Sequence, residues 1–239
     1  TYMKLKLVFL AICCLTAGSV FATDNHRIPT KSRTITNQIP SEMGTELDMY
    51  IEYAPIDQLT LFVGEEFYFS NFLTPDAEKF DASYISIGLN YAPHKNISFT
   101  AAYEFQYLAG NEYRHRVKLM IIPKVQMGDF TLSLRERFHM TYSMTDQTPE
   151  WLLRSRLKLD YSIPQKPLTP YVYVEMYNPL QSNPPCWYDM VGYGVGLDWM
   201  VDEHNILGFF YEFSHSSNGA QSIASYYHLL GVVFVLGFY

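Results

Sequence analysis

Tyr113-Arg-His-Arg-Val-Lys-Leu119, Phe130-Thr-Leu-Ser-Leu-Arg-Glu-Arg-Phe138 and Leu153-Arg-Ser-Arg-Leu-Lys-Leu-Asp-Tyr161 repeat one pattern within fifty residues. In each, basic residues fall on alternate positions: Arg114, Arg116 and Lys118, then Arg135 and Arg137, then Arg154, Arg156 and Lys158. A period of two is the period of a β-strand, so each segment presents one cationic face and one apolar face. Only short polar connections separate the segments, which predicts three neighbouring antiparallel strands. Eight like charges on one face of adjacent strands repel one another. That face therefore needs water, acids or an anionic ligand opposite it, and the other face needs something apolar.

The same alternation extends through the rest of the chain. Leu47, Met49, Ile51 and Tyr53 oppose Glu46, Asp48 and Glu52; Val191, Tyr193, Val195, Leu197 and Trp199 oppose Gly192, Gly194, Gly196 and Asp198. Eleven strand-like segments are predicted at about 45–54, 59–70, 83–92, 97–107, 113–122, 130–142, 151–161, 170–177, 188–200, 206–215 and 226–239. None has a helical period. Most are about ten residues long, enough for a tilted strand to cross a bilayer. A soluble barrel turns its apolar face inward, and one of this size has no room inside for so many aromatic rings. The reverse arrangement, apolar toward lipid and polar toward a lumen, is the expected one. The fold expected is all-β: a transmembrane antiparallel up-and-down β-barrel with a polar, charged lumen.

Residues 1–22 have the outline of a secretory signal peptide: Lys4 and Lys6, an apolar run from Leu7 to Leu15, and small residues ending at Ala22. Its removal leaves Cys186 as a single cysteine, which cannot form an internal disulfide. It also takes two of the 17 basic residues, leaving 15 against 24 acidic ones, a balance that argues against nucleic acid as a partner. Residues 23–44 form a polar N-terminal segment, and 45–239 the barrel.

Tyr53-Ala-Pro55, Tyr91-Ala-Pro93 and Tyr161-Ser-Ile-Pro164 each end a strand with an outward tyrosine followed by a proline turn. The three strands run in one direction, so these tyrosines share a rim, as an aromatic belt does. The chain closes on Val232-Val-Phe-Val-Leu-Gly-Phe-Tyr239, whose terminal aromatic resembles the signal that outer-membrane barrels offer their assembly machinery. Bacterial single-chain barrels have even strand numbers. A twelfth strand is therefore expected before the first clear one, with Ser32 to Ile39 as the candidate.

Taken in order, Arg114-His-Arg116, Arg135-Glu-Arg137, Leu153-Arg-Ser-Arg-Leu-Lys158, Pro170-Tyr-Val-Tyr-Val-Glu175 and the closing Tyr227-His228-Leu-Leu-Gly231 resemble a family of bacterial outer-membrane proteins, domain of unknown function 2490. The resemblance covers residues 45–239. It implies a porin-like integral barrel in the outer membrane of a Gram-negative bacterium, with outer-membrane lipid and the barrel assembly machinery as partners, and it implies no mechanism.

Acids in the inner phase can face the basic cluster, among them Glu66, Glu104, Asp160, Glu175 and Glu212. Two readings follow. Arginines paired with these carboxylates form a structural plug across the lumen. Alternatively, they form a cationic track that guides small anionic solutes past an acidic wall. The number of acids in phase favours the plug, and the two are not exclusive.

An enzyme is the alternative of a different class. His215-Ser-Ser217-Asn218-Gly219 resembles a segment of outer-membrane phospholipase A and of lipid A deacylases, which would make Ser217 a nucleophile and His215 its base for acyl-ester hydrolysis. In this reading His215 faces outward. The orienting position fourteen residues on is Leu229, an apolar residue, and His228 is placed on the other face. The remaining histidines and Cys186 lack metal-ligand spacing, so neither a metal nor a cofactor is expected.

Overall fold

The structure, a computed structural model, describes residues 41–70, 80–144, 148–181, 188–217 and 223–238. All regular structure among them is strand. The eleven strands are β1 (Ser41–Ile56), β2 (Leu59–Ser70), β3 (Phe80–His94), β4 (Ile97–Leu108), β5 (Glu112–Met127), β6 (Phe130–Ser143), β7 (Glu150–Tyr161), β8 (Leu168–Pro179), β9 (Met190–Met200), β10 (Asn205–Ser217) and β11 (Ile223–Phe238). Each pairs antiparallel with the next, and β1 closes the barrel against β11. The signal segment 1–22 and most of the N-terminal segment, including Ser32 to Ile39, lie outside the described residues.

The expected count of twelve is corrected to eleven among the described residues. In an up-and-down barrel an even number of strands closes with an antiparallel seam, and an odd number closes with a parallel one. Here β1 runs parallel to β11, in continuous register from Ser41 opposite Tyr226 to Tyr53 opposite Phe238. The seam satisfies its edge groups through the evenly spaced, slanted bonds of a parallel ladder. No further strand is needed to remove the open edge, and odd barrels do occur.

Proline shapes one rim. At Tyr53-Ala-Pro55 and Tyr91-Ala-Pro93 the register slips between Tyr53 and Ile56 and between Tyr91 and His94. Proline cannot donate to the ladder, so the strand bulges where it sits. Tyr53 and Tyr91 both point outward and are exposed. Phe130 and Tyr161 continue this belt, their rings 4.8 Å apart. The opposite rim has its own girdle, where Phe80, Tyr107 and Tyr113 meet ring to ring, and Phe138 lies against Trp151. Between the two belts the outer wall is aliphatic, with Val63, Ile87, Leu119, Val172 and Val195 exposed. That is the inverted arrangement of a membrane-spanning barrel.

The lumen is narrow because bulky polar and aromatic side chains fill it, and glycines make the room. An added Cβ on Gly194 would collide with the Tyr173 ring, and one on Gly196 with the Tyr171 ring. On the other side, Gly64 lies beneath the Tyr50 ring in the same way. The Tyr173 hydroxyl reaches on to Glu212 and the Tyr50 hydroxyl to Glu66, each at 2.6 Å.

Candidate functional site

Alternation carries all eight basic residues of β5, β6 and β7 to the inner wall. The hairpin registers bring them side by side: Arg135 is directly across from Arg156, and Arg137 from Arg154. Two like-charge pairs facing one another destabilise a sheet, so an acid has to stand against them. Arg156 is also directly across from Glu175 on β8.

Glu175 is 0% exposed. Its Oε1 accepts from Arg135 Nη2 at 2.9 Å, the guanidinium reaching over β7 to do so. Its Oε2 accepts from Arg154 Nη2 at 2.8 Å and from Arg156 Nη2 at 2.6 Å. Tyrosine faces complete the shell: the Arg156 guanidinium lies 3.9 Å from the Tyr173 ring centre and that of Arg154 4.3 Å from Tyr177. Charge-assisted bonds and cation–π contacts both gain strength away from water. Glu212 is held from the same side, accepting from the Tyr173 hydroxyl at 2.6 Å, with Arg156 Nη2 4.0 Å away.

A second knot forms on β4 and β5. Glu104, also 0% exposed, accepts from Arg116 Nη1 at 3.1 Å and from Lys118 Nζ. Gln106 Nε2 donates to it at 2.6 Å. Lys118 Nζ also lies 3.6 Å from Glu66 on β2, which links the two walls of the lumen. Toward one rim Arg114 pairs with Glu112 at 2.7 Å, and toward the other Lys158 pairs with Asp160 at 2.7 Å.

Three of the acids placed in the inner phase by alternation gather on the opposite wall, on β1 and β2. Glu46, Asp48 and Glu66 bring carboxylate oxygens within 4.8 Å of one another. Tyr50 donates to Glu66 at 2.6 Å and Tyr68 to Glu46 at 2.7 Å. These donors and Lys118 already occupy several of the oxygens a cation would need. A cavity of about 430 Å³ separates this acidic wall from the arginines of β6 and β7.

The outer wall corrects one assignment. His215 is directly across from Tyr226, and Phe213 from His228. Directly paired residues share a face, so His228 is outward with His215, and Leu229 is the inward residue, lining the cavity. The slip between Ser216 and Ser217 shows why phase could not be counted through this hairpin. His228 Nδ1 is 2.7 Å from the Tyr211 hydroxyl, and His215 Nδ1 is buried without a hydrogen-bond partner among the described residues. The Ser217 side chain lies outside the described residues.

The profile of a family described as a protein of unknown function, DUF2490, matches residues 47–223, from β1 to the start of β11. The chain belongs to the DUF2490 family. Within this DUF2490 barrel, Arg114 through Glu175 fall inside the matched span, while Tyr227 to Gly231 fall beyond it. No curated protein matches the chain. Among solved structures, a bacterial polysaccharide outer membrane secretin is similar over 73% of this chain and 62% of its own, at 8% identity and a TM-score of 0.48. Pseudomonas aeruginosa OccK11 (OpdR) is similar over 72% of this chain and 54% of its own, at 10% identity and a TM-score of 0.35. The chain thus covers less than two thirds of either protein.

Proposed function

We propose that the protein is a non-enzymatic, integral barrel of the Gram-negative outer membrane whose lumen is closed to bulk flow by an ionic plug at mid-height. The observation that carries this reading is Glu175, fully buried and held by three guanidinium groups from two strands. Side chains bound this way do not swing aside as pore-lining groups must. Each would leave an uncompensated buried charge behind it. The location rests on the outer wall. Its aliphatic band between two aromatic belts is far larger than the apolar patches of soluble monomers. Outer-membrane lipid is then its solvent, and the barrel assembly machinery its route there.

Passage of small anionic solutes is the second reading. It is favoured by the cavity beside the arginines, which leaves space along the cationic wall. Solute-dependent swelling of proteoliposomes separates the two. Vesicles carrying the protein are expected to keep their volume in sodium phosphate or gluconate, as protein-free vesicles do. Swelling that grows with the protein-to-lipid ratio would make the lumen a pore.

A further inference from the structure

Arg137 is the odd member of the arginine cluster. Arg135, Arg154 and Arg156 all turn toward β8 and share Glu175. Arg137, between Met120 on β5 and Arg154 on β7, makes no hydrogen bond or ion pair among the described residues. Its Nε is shielded from solvent without a partner, and so are Nε of Arg135 and Nε of Arg154. Two positions along the same inward face, His139 is 1% exposed and neither of its ring nitrogens has a partner.

The charge count points the same way. Within ion-pair distance, Arg135, Arg154 and Arg156 reach only Glu175 and, at the edge of the range, Glu212, while Glu46, Asp48 and Glu66 stand across the cavity from all four arginines. Of the far-wall acids, Glu66 is engaged with Tyr50 and Lys118 and Glu46 with Tyr68, Asp48 Oδ1 is buried without a hydrogen-bond partner among the described residues, and none of the three is within ion-pair distance of Arg137. A buried guanidinium is stable only when its charge and its hydrogen bonds are met. All four arginines and His139 line the cavity of about 430 Å³, which is ample for a small polar ligand.

We propose that this cavity is a binding site for a small oxyanion of the phosphate or sulfate type, held chiefly by Arg137. The planar guanidinium fork matches two oxygens of such a group. Arg154 across the ladder and His139 along the strand supply further N–H groups on the same wall. The inference deepens the closed-lumen reading and rests on it, because an ion held in a plugged barrel is bound and not conducted.

The probe is inorganic phosphate, added to the refolded protein in detergent micelles from a phosphate- and sulfate-free buffer. Calorimetric titration and thermal unfolding are followed for the wild type, Arg137→Gln and Arg137→Lys. The wild type is expected to bind one phosphate saturably and to unfold at a higher temperature with it. Arg137→Gln should weaken binding by about ten- to a hundredfold, the loss expected for a charge-assisted bond, and Arg137→Lys less. Without phosphate, Arg137→Gln should unfold no earlier than the wild type, since it relieves repulsion. No saturable binding by the wild type would overturn the proposal, as would equal binding by Arg137→Gln. Neither failure touches the closed lumen, because micelles report binding and not flow.

Discussion

Glu175 lies directly across the β7–β8 ladder from Arg156, and Arg156 Nη2 donates to its Oε2 at 2.6 Å. Around this pair the cluster changes from four repelling arginines to a network with a centre. Replacing Glu175 with Gln removes the central charge and leaves the guanidinium groups facing one another. The expected cost is about 3–5 kcal/mol of folding stability, the usual loss when one partner of a buried ion pair is removed. Urea unfolding in micelles measures it. Adding Arg135→Gln should return part of the loss, since it removes one of the stranded charges; a double-mutant cycle showing simple additivity would contradict the network.

Gly194 makes the case for packing inside the lumen. A methyl group there meets the Tyr173 ring, whose hydroxyl holds Glu212 and whose face carries Arg156. Gly194→Ala is expected to cost about 1–3 kcal/mol, as overpacking does. Gly208→Ala meets the end of the Asp198 side chain at 2.9 Å and otherwise makes ordinary contact with Val233 at 3.4 Å, so it should cost clearly less. Thermal unfolding of the two variants side by side checks the order.

Ile87 tests the outer wall. It is 61% exposed, at the middle of β3. Ile87→Arg should cost about 2–4 kcal/mol in lipid, the depth-dependent cost of a charge at the midplane. Val125, 55% exposed and three residues before the Gly128 turn, sits close to the rim. Val125→Arg should cost about 0–1 kcal/mol. Folding titrations in vesicles read both values, and equal costs at the two depths would argue against a bilayer around this wall.

Acyl-ester hydrolysis is expected to be absent. His215 faces outward without a partner for Nδ1 among the described residues, and the neighbouring His228 is engaged by Tyr211. An unoriented base loses several powers of ten in rate. The purified protein and Ser217→Ala should release equally little fatty acid from phospholipid and lipid A. Release by the wild type that vanishes in the variant would make this an outer-membrane hydrolase.

Much of the barrel was legible because a strand records its two faces in its own sequence. Arg114, Arg116 and Lys118 alternate with Tyr113, His115 and Val117, and the lipid and lumen faces follow from that. The Tyr-x-Pro repeats marked strand ends because proline interrupts any ladder. Relations between strands were less legible. The strand number was argued from where chain ends ought to lie, and no residue of β1 or β11 announces a parallel seam. His228 was assigned the wrong face because a bulge beside the loop shifts the phase. Arg137 looks identical to Arg135 in sequence. Only the reach of three side chains over β7 and β8 distinguishes the arginine that is left out.

The closed lumen is tested most directly by single-channel recording of the refolded protein in a planar bilayer. The wild type is expected to give no steady current in potassium chloride, while Glu175→Gln, with its network loosened, gives flickering, anion-selective openings. A steady wild-type current that persists across voltages would contradict the ionic plug and make the arginine wall the lining of an open channel.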